Sequence, residues 1–238
     1  MSGVLYLTRT SLLEPLGQGQ VLAYLKQLAR DWPIVLLTIE PRNLPEHAES
    51  AALAEECTQA GIQWCPQPIL VSERRRALEE TLALWRAART HASQGQIMLV
   101  HARSYLPALV ALWLRRHFGL PFIFDMRALW LEERISSGSL ARGSFLHRLL
   151  GWGEASCLRE ASAVVSLTGA AIHHLEAAYP GSLDGQHVEI VPTCTDLDRF
   201  VPLPDLPGGP RIFGCLGTVL SPWFRTDWLG AFFREIAR

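Results

Sequence analysis

The sequence predicts an α/β protein built on a doubly wound, Rossmann-like parallel sheet. Short apolar runs alternate along the chain with longer helical patterns. Most of the short runs are continuously apolar rather than alternating, which is typical of parallel strands buried on both faces. The predicted strands are Val4–Leu7, Ile34–Ile39, Gly61–Trp64, Ile97–His101, Phe122–Phe124, Ala163–Ser166, Val188–Val191 and Ile212–Cys215.

The helical segments are predicted from apolar residues that recur every three or four positions. In the first helix this spacing places Val21, Tyr24, Leu25 and Leu28 on one face. The predicted helices are Gln20–Arg30, Glu73–His91, Tyr105–Phe118, Phe145–Glu160, Gly169–Tyr179 and Thr226–Arg238.

The amino-acid composition argues against several functions, namely nucleic-acid binding, metal binding and a membrane span. Of the 238 residues, 49% are hydrophobic and 19% are charged, and the net charge is −1, so no overall field favours nucleic acid or an anionic membrane. The five cysteines form no CxxC pair and have no zinc-site spacing with histidines, which favours reduced thiols in the cytoplasm and no metal. No apolar run is long enough to span a membrane, although peripheral contact with the inner membrane face stays open.

Prolines and glycines crowd Asp198–Pro210, which predicts a linker at 201–210 between a domain at 1–200 and a segment at 211–238. The segment 211–238 has the pattern of one strand, a glycine turn and one helix. One strand and one helix cannot bury a core of their own. We therefore expect 211–238 to be the incomplete start of a second α/β domain.

A glycine pair follows the first strand. Gly17 and Gly19 precede a helix, where backbone N–H groups and the helix dipole can bind a phosphate. A plain helix cap is an alternative. A third is a dinucleotide fingerprint with Glu40 as the ribose-binding acid, but Leu22 occupies its third glycine position and Gly17 lies ten residues after Leu7.

Polar residues follow two other predicted strands. His101 and Arg103 end one strand, and Asp125 and Arg127 end the next. Ligands of open α/β sheets bind beyond the carboxyl ends of the strands, so the two pairs together favour a site. Asp125 needs a partner where it is buried, and a purely structural ion pair with Arg127 is the alternative.

These segments together resemble the family 4 glycosyltransferases of the GT-B fold, in particular a bacterial branch. The segments that carry the resemblance are Glu14–Leu25, His101–Tyr105, Phe122–Arg134, Ala163–Thr168, Ile190–Phe200 and Phe213–Arg225. The resemblance implies two facing Rossmann-like domains and transfer of a sugar, with retention, from a nucleotide-sugar donor to a carbohydrate or lipid-linked acceptor. It implies no metal, no cofactor and no nucleic-acid partner.

The resemblance also implies roles for residues. It implies a catalytic role for Asp125 and Arg127. It implies substrate binding by Gly17, Gly19, His101, Arg103, Glu133, Arg134, Gly217 and Thr218. This sequence departs from the branch at Ala128, which replaces a glycine, and at Gly19, which replaces a serine. The E-x7-E motif of the nucleotide-binding domain does not occur, so we expect the chain to be inactive alone.

Two other functions remain open at this point. In one, the chain is a non-catalytic half that docks through 211–238 on a separate nucleotide-binding subunit or on a membrane. In the other, Gly17, Gly19 and Glu40 form an NAD-binding module.

Overall fold

A computed structural model describes residues 3–41, 48–69, 76–195, 197, 201, 213–215 and 225–236. The chain divides into two compact units, 1–197 and 198–238. Apart from Val201, the predicted linker 201–210 lies outside the described residues, as do Gly217 and Thr218.

The first unit contains a seven-stranded sheet in which every neighbouring pair of strands is parallel. The strands are β1 Gly3–Leu7, β2 Ile34–Pro41, β3 Ile62–Ile69, β4 Ile97–Arg103, β5 Phe122–Asp125, β6 Ala163–Ser166 and β7 Val188–Ile190. Their order is β3-β2-β1-β4-β5-β6-β7, so the order reverses between β1 and β4. This arrangement confirms the predicted doubly wound, Rossmann-like sheet.

The helices cover the sheet unequally. They are α1 Pro15–Gly17, a π-helical turn Gln18–Leu22, α2 Ala23–Leu28, α3 Ala48–Gln59, α4 Arg76–Ser93, α5 Tyr105–Phe118, α6 Trp130–Ser136, α7 Phe145–Glu160, α8 Gly169–Ala178 and, in the second unit, α9 Thr226–Ile236. Right-handed crossovers place helices on opposite faces where the strand order reverses. Accordingly, α2 and α3 pack with β1–β3 on one face, and α4, α5, α7 and α8 form the larger core on the other.

Two helices and one strand differ from the sequence prediction. Helix α3 was not predicted because it buries only Leu53 and Cys57, which is too sparse a pattern to read, and α6 has only seven residues. Phe213, Gly214 and Cys215, the described part of the predicted last strand, lie in no strand. A strand needs a hydrogen-bonded neighbour, and the described residues of the second unit contain no strand with which these three could pair.

A buried carboxyl group lies in the larger core, away from the strand ends. Glu154 on α7 is 4% exposed, and its Oε2 accepts a hydrogen bond of 2.7 Å from the Tyr179 hydroxyl. Burial raises the pKa of Glu154 to about 7, against an ordinary value of 4.5, although the Tyr179 hydrogen bond opposes the shift.

We predict that Glu154→Gln removes a pH dependence of stability. Between pH 4.5 and 7 the folded state holds the Glu154 proton more tightly than the unfolded state does, so stability falls as the pH rises through this range. At pH 8 the neutral variant should therefore be more stable than the wild type by about 3 kcal/mol. Urea unfolding at pH 5 and pH 8 measures this difference. An equal gain at both pH values, or a gain in the exposed control Glu49→Gln, would contradict it.

Candidate functional site

Asp125 is the centre of a charged cluster at the carboxyl ends of the central strands. It is the last residue of β5, and it pairs in register with Arg103 of β4 and Val165 of β6. Its side chain is 7% exposed. A carboxylate buried to this extent requires neighbouring positive charge or hydrogen-bond donors, because the charged form loses its hydration.

Three cationic or ionisable side chains surround the Asp125 carboxylate. The Nε2 of His101 lies 3.4 Å from Oδ2, and the Nη1 of Arg103 lies 3.9 Å from the same oxygen. The Nη1 of Arg127 lies 3.5 Å from Oδ1. The structure therefore brings together His101, Arg103, Asp125 and Arg127, which the sequence placed at two neighbouring strand ends.

The cluster keeps the Asp125 carboxyl ionised. Burial alone would raise its pKa, but the hydrogen bond and charge of His101, followed by the charges of Arg127 and Arg103, hold the pKa below its usual range. Asp125 can thus act as a permanent negative charge or as a hydrogen-bond acceptor at neutral pH.

Arg127 carries unused hydrogen-bonding capacity. Its Nε and Nη2 are buried and have no hydrogen-bond partner among the described residues, and the same holds for Oδ1 of Asp125. Each buried, unpaired polar group costs about 1–3 kcal/mol. In a purely structural ion pair, the buried nitrogens and oxygens normally all have hydrogen-bond partners. The unpaired atoms of Arg127 and Asp125 are therefore better suited to hydrogen bonds with a ligand.

Arg103 joins the cluster to the first helix. Its Nη2 donates a hydrogen bond of 3.0 Å to Oε1 of Gln20, which lies in the π-helical turn. π-Helical turns occur often at functional sites. The next residue, Ser104, has a φ of +75°, a conformation that is strained for a residue with a Cβ atom. Its amide donates to the carbonyl of Asp125 at 2.8 Å, so the strained residue fixes the ends of β4 and β5 together.

Glu40 holds the glycine loop after β1 in place through hydrogen bonds. This carboxylate is fully buried and accepts hydrogen bonds from the Ser11 hydroxyl, the Leu12 amide and the Thr38 hydroxyl. A side chain engaged inside the protein in this way does not reach a ribose. The NAD interpretation, which required Glu40 as the ribose-binding acid, is therefore not supported.

The two glycines of the loop differ in their surroundings. Gly17 is buried, and a Cβ atom there would lie 1.9 Å from the carbonyl oxygen of Ser11. Gly19 is exposed, and nothing lies within 4 Å of the position of its Cβ atom. Gly17 therefore has a packing role, which the sequence did not indicate, and only Gly19 presents open backbone.

Glu133 and Arg134 lie on α6 rather than in the cluster. The guanidinium of Arg134 lies 5.0 Å above the ring of Trp130, which in turn stacks on Tyr105 at 4.7 Å. Glu133 is exposed, and its described hydrogen bonds are those of the helix backbone. Their expected role in substrate binding stays a prediction, as does that of Gly217 and Thr218, which lie outside the described residues.

Three residues that complete this edge of the sheet were not predicted from the sequence. They are Gln20, Ser104 and Tyr6, whose ring lies 4.6 Å from that of His101. For Tyr6 a signal was available, because it lies next to the end of a central strand. Within the described ranges, no group of three or more His, Cys, Asp or Glu side chains could hold a metal ion. No described helix has the length and hydrophobicity of a membrane span.

The fold defines the class of protein: a Rossmann-like parallel sheet that matches one half of the GT-B glycosyltransferases. Sucrose-phosphate synthase from Thermosynechococcus elongatus superimposes with a TM-score of 0.58 and 14% identity, over 85% of this chain and 51% of the synthase. UGT89C1 from Arabidopsis thaliana, solved with UDP, gives a TM-score of 0.50 and 12% identity, over 80% of this chain and 51% of that protein. The chain thus spans about half the length of these structures.

A comparison of the sequence with protein-family models identifies the family of this chain. The model of the glycosyl transferase 4-like domain matches residues 18–194, and the chain belongs to this family. The match includes β2–β7 and all four residues of the strand-end cluster. Comparison with curated protein sequences gives no significant match.

Proposed function

We propose that this chain is the acceptor-side half of a glycosyltransferase that moves a sugar from a nucleotide-sugar donor to an acceptor in polysaccharide or glycolipid synthesis. The observation that carries the proposal is the Asp125 cluster, a buried carboxylate with three basic neighbours at the carboxyl edge of a sheet in this family. That UGT89C1 is solved with UDP supports a nucleotide-sugar donor.

The chemistry follows from the charges. Sugar transfer from a UDP-type donor breaks the bond between the sugar and a nucleoside diphosphate, so negative charge grows on the leaving phosphate in the transition state. Buried donors that are fixed in advance stabilise such charge without reorganising. The unpaired N–H groups of Arg127 are suited to this task or to an anionic acceptor, and Asp125 orients the two arginines and His101.

Asp125 is also suited to bind a hydroxyl group of the acceptor. Its Oδ1 is buried and accepts no hydrogen bond among the described residues, so it can accept one from an acceptor hydroxyl. Holding that hydroxyl in line with the donor sugar would contribute through orientation. Residues 211–238 would begin the domain that binds the nucleotide, with 201–210 as the linker.

We predict that Asp125→Asn abolishes sugar transfer. The test uses extracts of native cells that carry the wild-type or the variant chain, supplied with a panel of nucleotide sugars labelled in the sugar. The wild-type extract should transfer label to a product that is not a nucleotide, and the variant extract should lose about 100-fold or more of this transfer. Equal transfer at equal amounts of folded protein would contradict the proposal.

The variant carries a risk, because Asp125→Asn leaves two buried arginines without their carboxylate and can destabilise the fold. Limited proteolysis of the extract reports whether the variant is folded. His101→Gln removes a neighbour of Asp125 at a more exposed position and serves as the second variant. The surface substitution Glu55→Gln is the matched control.

A further inference from the structure

The outward face of α7 is apolar over its first two turns. Four large side chains there, Phe145, Leu146, Leu149 and Trp152, are between 50% and 83% exposed. We call these four residues the α7 patch. Single exposed apolar side chains are normal on a protein surface, but a contiguous group of large ones marks a surface that contacts something else.

The helical period explains why these side chains lie together. Leu149 and Trp152 follow Phe145 by four and seven residues, so the three fall within about 60° of one another around the helix axis. The opposite side of α7, which includes Glu154 and Leu158, is buried in the protein. A surface helix normally presents polar side chains outward, and the first half of α7 does not follow this pattern.

Positive charge surrounds the α7 patch. Arg148 and Arg159 are exposed side chains of the same helix, and neither forms an ion pair among the described residues. On the neighbouring α5, the guanidinium of Arg116 lies 5.9 Å from the ring centroid of Trp152. Residues 134–153 contain three arginines, one histidine and no acidic residue.

The acidic residues of α7 do not offset this charge. Glu154 is buried on the inner side of the helix, and Glu160 is neutralised by its ion pair with Arg116. The charge around the patch is therefore positive, although the net charge of the whole chain is −1. Large apolar side chains, an exposed tryptophan and flanking arginines are typical of helices that lie in the interface of an anionic membrane.

We infer that the α7 patch is a docking surface for a membrane that contains anionic lipids. Its apolar side chains enter the boundary between the headgroups and the acyl chains, and Arg148 and Arg159 bind lipid phosphates. A second copy of this chain fits the patch less well, because a symmetric contact would bring like charges together. The inference concerns a surface outside the strand-end cluster and does not depend on sugar transfer.

The test is flotation of the full 238-residue chain with phospholipid vesicles. One set contains phosphatidylcholine with about 30% phosphatidylglycerol, and the other contains phosphatidylcholine alone. Each arginine near an anionic surface contributes about fivefold to binding, so we expect the two arginines to give at least about tenfold tighter binding to the anionic vesicles. No binding, or equal binding to both sets, would overturn the inference.

A double substitution locates the contact on α7. Leu149→Gln with Trp152→Gln makes two exposed side chains polar without changing the charge, and should weaken binding to the anionic vesicles by at least about tenfold. The matched control, Leu28→Gln with Trp32→Gln, changes the same residue types at 45% and 49% exposure on the other face of the sheet, and should leave binding unchanged. Equal effects of the two double variants would overturn the assignment to α7.

Arg148→Gln tests the charge. It should weaken binding to the anionic vesicles by about fivefold and leave any binding to the neutral vesicles unchanged. The control Arg30→Gln removes an exposed arginine that follows α2, so it changes the net charge by the same amount away from the patch. An unchanged affinity of Arg148→Gln, or an equal loss in Arg30→Gln, would overturn the role of charge complementarity.

Sedimentation equilibrium without vesicles tests the other occupant, a second copy of the chain. We expect no self-association that depends on the α7 patch. Self-association of the wild type that Leu149→Gln with Trp152→Gln abolishes would identify the patch as an interface between copies, and would overturn the inference.

Discussion

Arg127→Gln is expected to leave the protein folded while removing most of its function. The substitution loses one ion pair of 3.5 Å with Asp125, but it also removes two buried guanidinium nitrogens, Nε and Nη2, that have no hydrogen-bond partner within the described structure. Each unpaired group costs about 1–3 kcal/mol, and Asp125 keeps His101 and Arg103 as neighbours, so the free energy of unfolding should fall by less than the about 3–5 kcal/mol that is typical of a broken buried ion pair. Loss of a preorganised donor beside the leaving phosphate should reduce the rate of sugar transfer by about 10²–10³-fold.

A variant that keeps its stability but loses transfer distinguishes a functional role of Arg127 from a purely structural ion pair. Urea unfolding gives the stability, and transfer of labelled sugar in native extracts gives the function. The matched control is Arg142→Gln, which removes an arginine that is 63% exposed and pairs with Glu132 on the surface. A large loss of stability in Arg127→Gln, with transfer reduced only in proportion to the folded protein, would show that Arg127 is structural.

Gly17→Ala is expected to have the largest effect on the fold of any single methyl group considered. The added Cβ atom would lie 1.9 Å from the carbonyl oxygen of Ser11, and it would approach backbone atoms rather than a movable side chain. Overpacking against fixed atoms costs about 1–3 kcal/mol in typical cores and more where the backbone must shift. We therefore expect a loss of at least about 3 kcal/mol, or a rearranged loop after β1.

Gly19→Ala is the matched comparison, because it adds the same methyl group two residues later in open space. Alanine is favoured over glycine in a helix by about 0.5–1 kcal/mol, so this variant should be as stable as the wild type or more so. Thermal unfolding of both variants measures the contrast. A small effect of Gly17→Ala would show that the loop is not packed on Ser11 as the structure has it.

The sequence predicted the helices and strands best where local signals and tertiary packing agree. Helices α5 and α7 have the bounds that their apolar periodicity predicts. The Ser144 side chain caps α7, and Gly119 ends α5 in the left-handed conformation, so the ends are also fixed locally. Helix α3 was missed because its burial depends on β2 and β3, whose position no local pattern reveals.

The sequence also predicted the edge of the sheet on which the candidate site lies. Residues at the ends of neighbouring parallel strands must meet, so the proximity of His101, Arg103, Asp125 and Arg127 followed from their places in the strands. The unpaired state of Arg127 and the contact of Arg103 with Gln20 could not be predicted, because they depend on side-chain directions between segments far apart in the chain. The packing of Gly17 on Ser11 was hidden for the same reason.

The most direct test of the central claim is mass spectrometry of the glycans and glycolipids from native cells that carry Arg127→Gln in place of the wild-type chain. This measurement works before the donor or the acceptor has been identified, and it examines the protein in its native form. We predict that one glycan or glycolipid loses a sugar in these cells and keeps it in cells with Arg142→Gln. Identical glycans in wild-type and Arg127→Gln cells, at equal amounts of folded protein, would contradict a role for this cluster in sugar transfer.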